Sequence, residues 1–300
     1  MPMPDSPDVL SVVFRAVSFT LLLNAAGIPI FIAAFGRLMS SAVPAVRQLG
    51  WKLAIGALVF VVGHQALEAA RMTGEMSGVM DPAMQKMALL SPGGAAFAVR
   101  VLGLVLVAVG LRRVAHVPQR QGAALAPTGP LAIPLVGAFL SVAAFTLMGH
   151  TSVTPHRLAA AGLLTLHLLV VAFWLGALWP LYLAAKKEQP AVTARVIEAF
   201  SLAAAWLVPL ILLAGIGLTA VLIPSLATFR QPYGQLLLVK VSLFAVLLAM
   251  ASLNKWRFGP ACADGDTAAF ERTVVVEYAL ICVVLAVTAA LTTFYSPEVA

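Results

Sequence analysis

The chain has 300 residues, of which 61% are hydrophobic and 10% charged, and a mean hydropathy of +0.99. Soluble domains carry about a quarter charged residues, so a water-soluble globule is excluded and a polytopic membrane protein is expected. The net charge of +7 does not point to nucleic acid, because the basic residues fall in short loops between apolar spans, where they set orientation.

The opening residues, MPMPDSPDVL, lack the basic region and small-residue cleavage site of a signal peptide, so the first span is expected to stay in the mature protein. About twenty apolar residues cross a bilayer, and eight stretches qualify, near 9–35, 53–72, 94–114, 131–150, 158–185, 197–223, 235–254 and 273–295. The expected fold is therefore all-α, a bundle of about eight transmembrane helices. Alternate loops hold Arg37, Arg47 and Lys52; Arg112, Arg113 and Arg120; Lys186, Lys187 and Arg195; and Lys255, Arg257 and Arg272. The other side has only Arg71, Lys86, Arg157 and Arg230 in loops or span ends, while Arg15, Arg100 and Lys240 lie inside spans near that side. Both termini are then expected outside, together with the loop after the second span.

That loop is rich in methionine. Residues 72–87, MTGEMSGVMDPAMQKM, contain Met72, Met76, Met80, Met84 and Met87, half of the chain's ten methionines. Thioether sulfur is a soft ligand suited to Cu(I), although methionine at helical spacing is also ordinary packing material. Asp81-Pro82 reads as an N-cap and first residue of a short helix that ends before Ser91-Pro92. Met72 and Met76 then belong to the end of the second span, and Met84 and Met87 share a face of the short helix. The two pairs either form a thioether site or dock the short helix onto membrane lipid.

A spacing of 140 residues relates Ser91-Pro92-Gly93-Gly94, with Arg100 six residues past its last Gly, to Gln231-Pro232-Tyr233-Gly234, with Lys240 six past its Gly. This suggests two parallel four-span repeats. Chance placement of Pro and Gly at helix starts is the alternative.

Histidines lie at His64 in the second span, His150 at the outer end of the fourth, His156 in the next loop and His167 in the fifth, with His116 among arginines on the inner side. At 1.5 Å per residue, His64 is about 12 Å below Met72 and His167 about 15 Å below Arg157. Imidazole at that depth needs a partner, either a neighbouring helix or a ligand. With Met148 beside His150, the set His64, Met148, His150 and His167 offers soft and borderline metal ligands. Glu68 precedes Arg71 by three residues and is expected to pair with it. Glu277, one turn inside the last span, is expected to pair with Lys255, Arg257 or Arg272. Few acids lie outside, which disfavours Ca²⁺ or Mg²⁺. Cys262 and Cys282 form no CxxC or disulfide framework. No GxxxxGK[ST], HExxH or GxSxG occurs, so neither ATP hydrolysis nor another enzymatic activity is expected.

Phe200-Ser201, Gly215 and Gly217, QPYGQLLLVK ending at Lys240, Leu253-Asn254-Lys255-Trp256-Arg257, Glu277 and Leu291-Thr292 before Pro297 occur in this order. The region of about 197–297 resembles the CopD family of bacterial inner-membrane copper-resistance proteins. Gly149-His150, His167-Leu168-Leu169 and Trp174-Leu175-Gly176-Ala177-Leu178 are similar to the family more loosely. The resemblance divides the chain into a first transmembrane half, 1–190, carrying the Met-rich loop, and a CopD-like region, 191–300. It implies copper handling between periplasm and cytoplasm, alongside a separate periplasmic copper-binding protein of the CopC type, with His150 and His167 as ligands. Import of Cu(I) from the outer methionines through Met148 and His150 to His167 and His64 is the expected activity. Two other readings stay open: a b-type haem electron carrier with His64 and His167 as axial ligands, and a copper sensor or assembly partner that moves no metal.

Overall fold

In the computed structural model, residues 6–114, 128–149, 154–223 and 225–295 are described, and these contain helices and no strand. The helices are α1 (Ser6–Phe35), α2 (Val43–Thr73), α3 (Pro82–Leu90), α4 (Pro92–Val114), α5 (Thr128–Ala143), α6 (Arg157–Lys187), α7 (Pro190–Leu222), α8 (Pro232–Leu253) and α9 (Ala268–Phe294). Past its end α8 runs into a π-helical turn, Asn254–Phe258. Among the described residues seven helices are long and apolar enough to cross a membrane. The fourth expected span is the shorter apolar stretch Leu131–Leu147, built from α5 and a 3₁₀ turn.

The centre of the bundle is α1, which packs on α2, α5, α6 and α9. Its middle, from Leu22 to Ile28, is buried on every side, and small residues there (Ala25, Ala26, Gly27) let neighbours come close. The tightest approach is to α6. A Cβ on Gly27 would lie 1.8 Å from the Ala172 carbonyl oxygen, and one on Gly176 would lie 2.5 Å from Gly27 Cα. The two backbones touch here, where packing rather than hydrophobic transfer holds membrane helices together.

Short polar contacts at the helix ends define two faces. Arg71 near the end of α2 bonds Asp8 in α1 at 3.0 Å, and Arg15 bonds the Thr292 carbonyl near the end of α9 at 3.2 Å. The start of α1, the end of α9 and the segment after α2 therefore share one face, which carries the methionines. On the opposite, basic face, Glu188 Oε1 accepts from the backbone N–H groups of Ser40, Ser41 and Ala42 at 3.0, 2.7 and 2.8 Å. Lys186 pairs with Glu271 at 2.5 Å on the same face, and the Arg112 guanidinium lies over the Trp51 ring, 4.8 Å from its centre.

The 140-residue spacing has a structural counterpart. Pro92 and Pro232 each open a helix, and α5 and α9 begin at Thr128 and Ala268. A Cβ on Gly94 would strike the Leu89 carbonyl oxygen at 2.0 Å, and one on Gly234 the Thr228 carbonyl oxygen at 2.3 Å. Each glycine lets the incoming turn lie against the first turn of its helix. The surroundings differ, since 61% of the most apolar window of α1 is buried but only 11% in α7 and 6% in the span beginning with α8. The outer surfaces of α7 and α8 thus present apolar side chains such as Leu213, Ile216 and Val241, as helices facing lipid do.

Candidate functional site

The short helix of the Met-rich segment takes the expected form, but Met76 does not belong to the second span: it lies past the Gly74 turn that ends that helix. Helix α2 ends at Thr73, and Gly74, at φ 75°, turns the chain into a 3₁₀ turn, Met76–Met80. Asp81 caps α3 by accepting from the N–H groups of Ala83 and Met84 at 2.8 and 3.3 Å. The Gln85 side chain donates to the carbonyls of Ala66 and Val79 at 3.0 and 2.9 Å, which fastens α3 to the end of α2. Met72, Met76, Met80 and Met87 are exposed, Met80 to 84%, and Met84 is half-buried. The sulfurs are spread over one outer surface and are not core filler.

Beneath that surface is a polar network on α1, α2 and α9. His64 Nε2 accepts from Arg15 Nε at 3.1 Å and lies 3.5 Å from both Ser11 Oγ and Glu68 Oε1. Arg15 also reaches Glu68 at 3.6 Å and donates to Thr293 Oγ1 at 3.0 Å. Glu68 pairs with Arg71 at 3.3 Å as its spacing implied. With its Nε2 lone pair facing Arg15, neutral His64 carries its proton on Nδ1. The sequence placed Arg15 inside a span but gave it no partner; an arginine at that depth was itself the signal that one exists.

Met148 is half-enclosed by a cation. Arg100 of α4 donates to its sulfur at 3.6 Å and lies over the Phe145 ring, 4.2 Å from the centroid. His150 lies outside the described residues, so the expected Met148 and His150 pair has no described geometry.

His167 is arranged differently from His64. Its Nδ1 lies 3.3 Å from the Ile211 carbonyl oxygen of α7, so that nitrogen carries the proton and donates. Among the described residues no hydrogen-bond partner meets Nε2, whose lone pair is left for a ligand. A histidine oriented through a backbone carbonyl is the usual state of a metal-ligating imidazole. Gly215 faces the ring, where an added Cβ would sit 3.8 Å from Cε1, and Lys240 of α8 is the charged side chain whose field reaches it. His64 and His167 share no partner, and the described residues hold no group of three His, Cys, Asp or Glu side chains placed for one ion.

The basic-face half contains a second polar centre. Glu277 is enclosed between α9, α6 and the π turn, and the expected pairing with Lys255, Arg257 or Arg272 does not form. Instead Asn254 Nδ2 donates to Glu277 Oε1 at 2.5 Å, the Trp174 indole also bonds the carboxyl, and Thr273 Oγ1 donates to Asn254 Oδ1. In the π turn Asn254 is buried and Trp256 and Arg257 are exposed, while Lys255 is half-buried. Beside this centre is a cavity of about 260 Å³ between α6, α7, α8 and α9, with Lys255 and Trp256 at its rim.

Seven long apolar helices, charges buried at their ends and polar clusters inside them define a multi-pass membrane protein. Residues 194–291, in its C-terminal part, match the family model described as Copper resistance protein D. The match covers most of α7, all of α8 and most of α9, and with them Asn254, Glu277 and Lys240, while His64, Met148, His150 and His167 precede it. No curated protein and no solved structure matches the chain.

Proposed function

We propose that the protein moves copper across the bacterial inner membrane, inward, as Cu(I). The observation that carries this reading is the match to the CopD model, whose family is one of copper resistance. In this reading both termini and the methionine face are periplasmic and the basic face is cytoplasmic, which the distribution of Lys and Arg supports. Met72, Met76, Met80, Met84 and Met87 collect Cu(I) from solution or from a CopC-type periplasmic carrier. Met148 and His150 receive it at the mouth, and His167 holds it in the membrane through Nε2. His64 joins the path when Arg15 shifts its bond to Glu68. Soft sulfur and neutral imidazole suit Cu(I) and leave hard cations in water.

The test is copper uptake into proteoliposomes of purified protein, with His167→Ala as the control. Uptake by the native chain and its loss in the variant are expected. A correctly folded sample that binds copper and moves none would make the protein a sensor or assembly partner. A Soret band without copper would make it a haem carrier.

A further inference from the structure

Glu277 is the only buried acid among the described residues, and it has no cation within ion-pair distance among them. Its partners are neutral. Asn254 bridges the two side chains, presenting its nitrogen end to the carboxyl and its oxygen end to the Thr273 hydroxyl. An ionised carboxylate enclosed in apolar surroundings is costly unless it is paired. Two neutral donors lessen that cost without supplying the opposite charge.

The adjoining cavity runs from the carboxyl to Lys255 and Trp256. Its walls are mostly apolar, from Leu178, Val208, Leu248 and Val274, and its polar groups are Ser201, Ser252, Asn254 and Lys255. A cavity of this size with several hydrogen-bonding side chains has room for water. The rim residues Lys255 and Trp256 belong to the basic face. The α6 and α7 walls contribute no titratable side chain, the α8 side contributes Lys255 alone, and on α9 the neighbouring Tyr278 turns away to Asn24 of α1 at 3.1 Å. Lys186 and Glu271, further along, are engaged with each other.

We propose that Glu277 is a proton-binding site reached from the basic face, and that its protonation state controls the last stage of copper passage. The second clause rests on the copper reading; the first does not. Glu277 is not a copper ligand in this scheme. As a carboxylate it offers the negative charge that makes a cation's approach to the basic-face half favourable, and as a neutral acid it withdraws that charge. Because proton and water enter and leave on the same side, no proton crosses the membrane, and the pH of the basic-face compartment alone is sensed.

Two experiments test this. In the first, purified protein is treated with a hydrophobic carbodiimide, which modifies protonated carboxyls in apolar sites, and peptides are analysed by mass spectrometry. Modification of Glu277 that increases on acidification, and that is absent in Glu277→Gln, is expected. A folded protein left unmodified at Glu277 at every pH would overturn the proton site, whatever becomes of copper transport. In the second, copper uptake into oriented proteoliposomes is followed while the pH on each side is varied separately. Acidifying the basic-face side should slow uptake by up to about tenfold per pH unit, the limit for one proton, and acidifying the other side should not produce this slope. Glu277→Gln, which keeps the Asn254 contact, should transport slowly and lose the slope, whereas Glu277→Asp should retain it. A slope that survives in Glu277→Gln would overturn the control by Glu277. Absence of uptake in the native chain would remove the copper reading and leave the labelling result to judge the proton site.

Discussion

Arg15 Nε donates to His64 Nε2 across 3.1 Å, so the buried imidazole of α2 is claimed by a cation on α1. Arg15 is itself bound to Glu68, Thr292 and Thr293, and therefore joins α1, α2 and α9. Replacing it by Gln should cost about 1.5–3 kcal/mol, the range for hydrogen bonds to a charged group, and should release His64. Thermal unfolding in detergent checks the first effect. Competitive Cu(I) titration checks the second: Arg15→Gln should bind copper more tightly than the native protein, and Arg15→Gln with His64→Ala should lose that gain.

The other intramembrane histidine needs no such release. With Nδ1 on the Ile211 carbonyl, His167 keeps its Nε2 available. His167→Ala should lower copper uptake about tenfold or more, as loss of groups at metal sites does, with the unfolding transition little changed. Gly215→Ala, whose Cβ would make ordinary contact at 3.8 Å, should transport normally. Equal loss in both variants would point to disturbed α6–α7 packing in place of a lost ligand.

Much of this arrangement was legible in the sequence because hydropathy and turn chemistry act locally. The spans, the Asp81 cap and the Glu68–Arg71 pair all follow from neighbours a few residues apart. The partners of His64 and Glu277 were not legible, because they depend on which helices meet. Arg15 is 49 residues from His64, and Asn254 is 23 from Glu277. For Glu277 the basic residues of the adjoining loop were misleading: the π turn leaves Lys255 and Arg257 beyond ion-pair distance of the carboxyl and brings the neutral Asn254 to it. The π turn has no mark in composition. It is a backbone irregularity of the kind found at functional sites.

The α1–α6 crossing should be intolerant of any side chain. Gly27→Ala would place Cβ 1.8 Å from the Ala172 carbonyl oxygen, and backbone cannot yield as a flexible side chain can. Fluorescence-detected size-exclusion chromatography should show little folded protein. Gly162→Ala on α6, with nothing within 4 Å of its Cβ, should fold normally and gain up to about 1 kcal/mol, as alanine is the better helix former.

The exposed methionines should be dispensable for folding. Met80 is 84% exposed, and surface substitutions usually change stability by less than about 0.5 kcal/mol. Changing Met72, Met76, Met80, Met84 and Met87 together to Leu keeps the apolar surface and removes only sulfur. Uptake should fall at low copper and recover at high copper, as expected for loss of a collecting surface; an unchanged concentration dependence would assign the segment to lipid docking.

On the basic face, Glu188 caps α2 from 146 residues away, accepting three successive backbone N–H groups with one oxygen, the closest at 2.7 Å from Ser41. No side chain in the 36–42 turn does this, since Ala42 occupies the N-cap. The N-terminus of α2 therefore depends on the loop after α6, and the carboxylate also meets the positive end of the helix dipole. Glu188→Ala should cost about 1–2 kcal/mol, in the range of a lost cap, and Glu188→Gln less, because its carbonyl still accepts. Hydrogen exchange measured by mass spectrometry should show faster exchange at 40–46 in Glu188→Ala, with the 81–84 cap on the opposite face unchanged. Equal acceleration at both ends would mean global loosening and would remove the case for Glu188 as a cap acting across the chain.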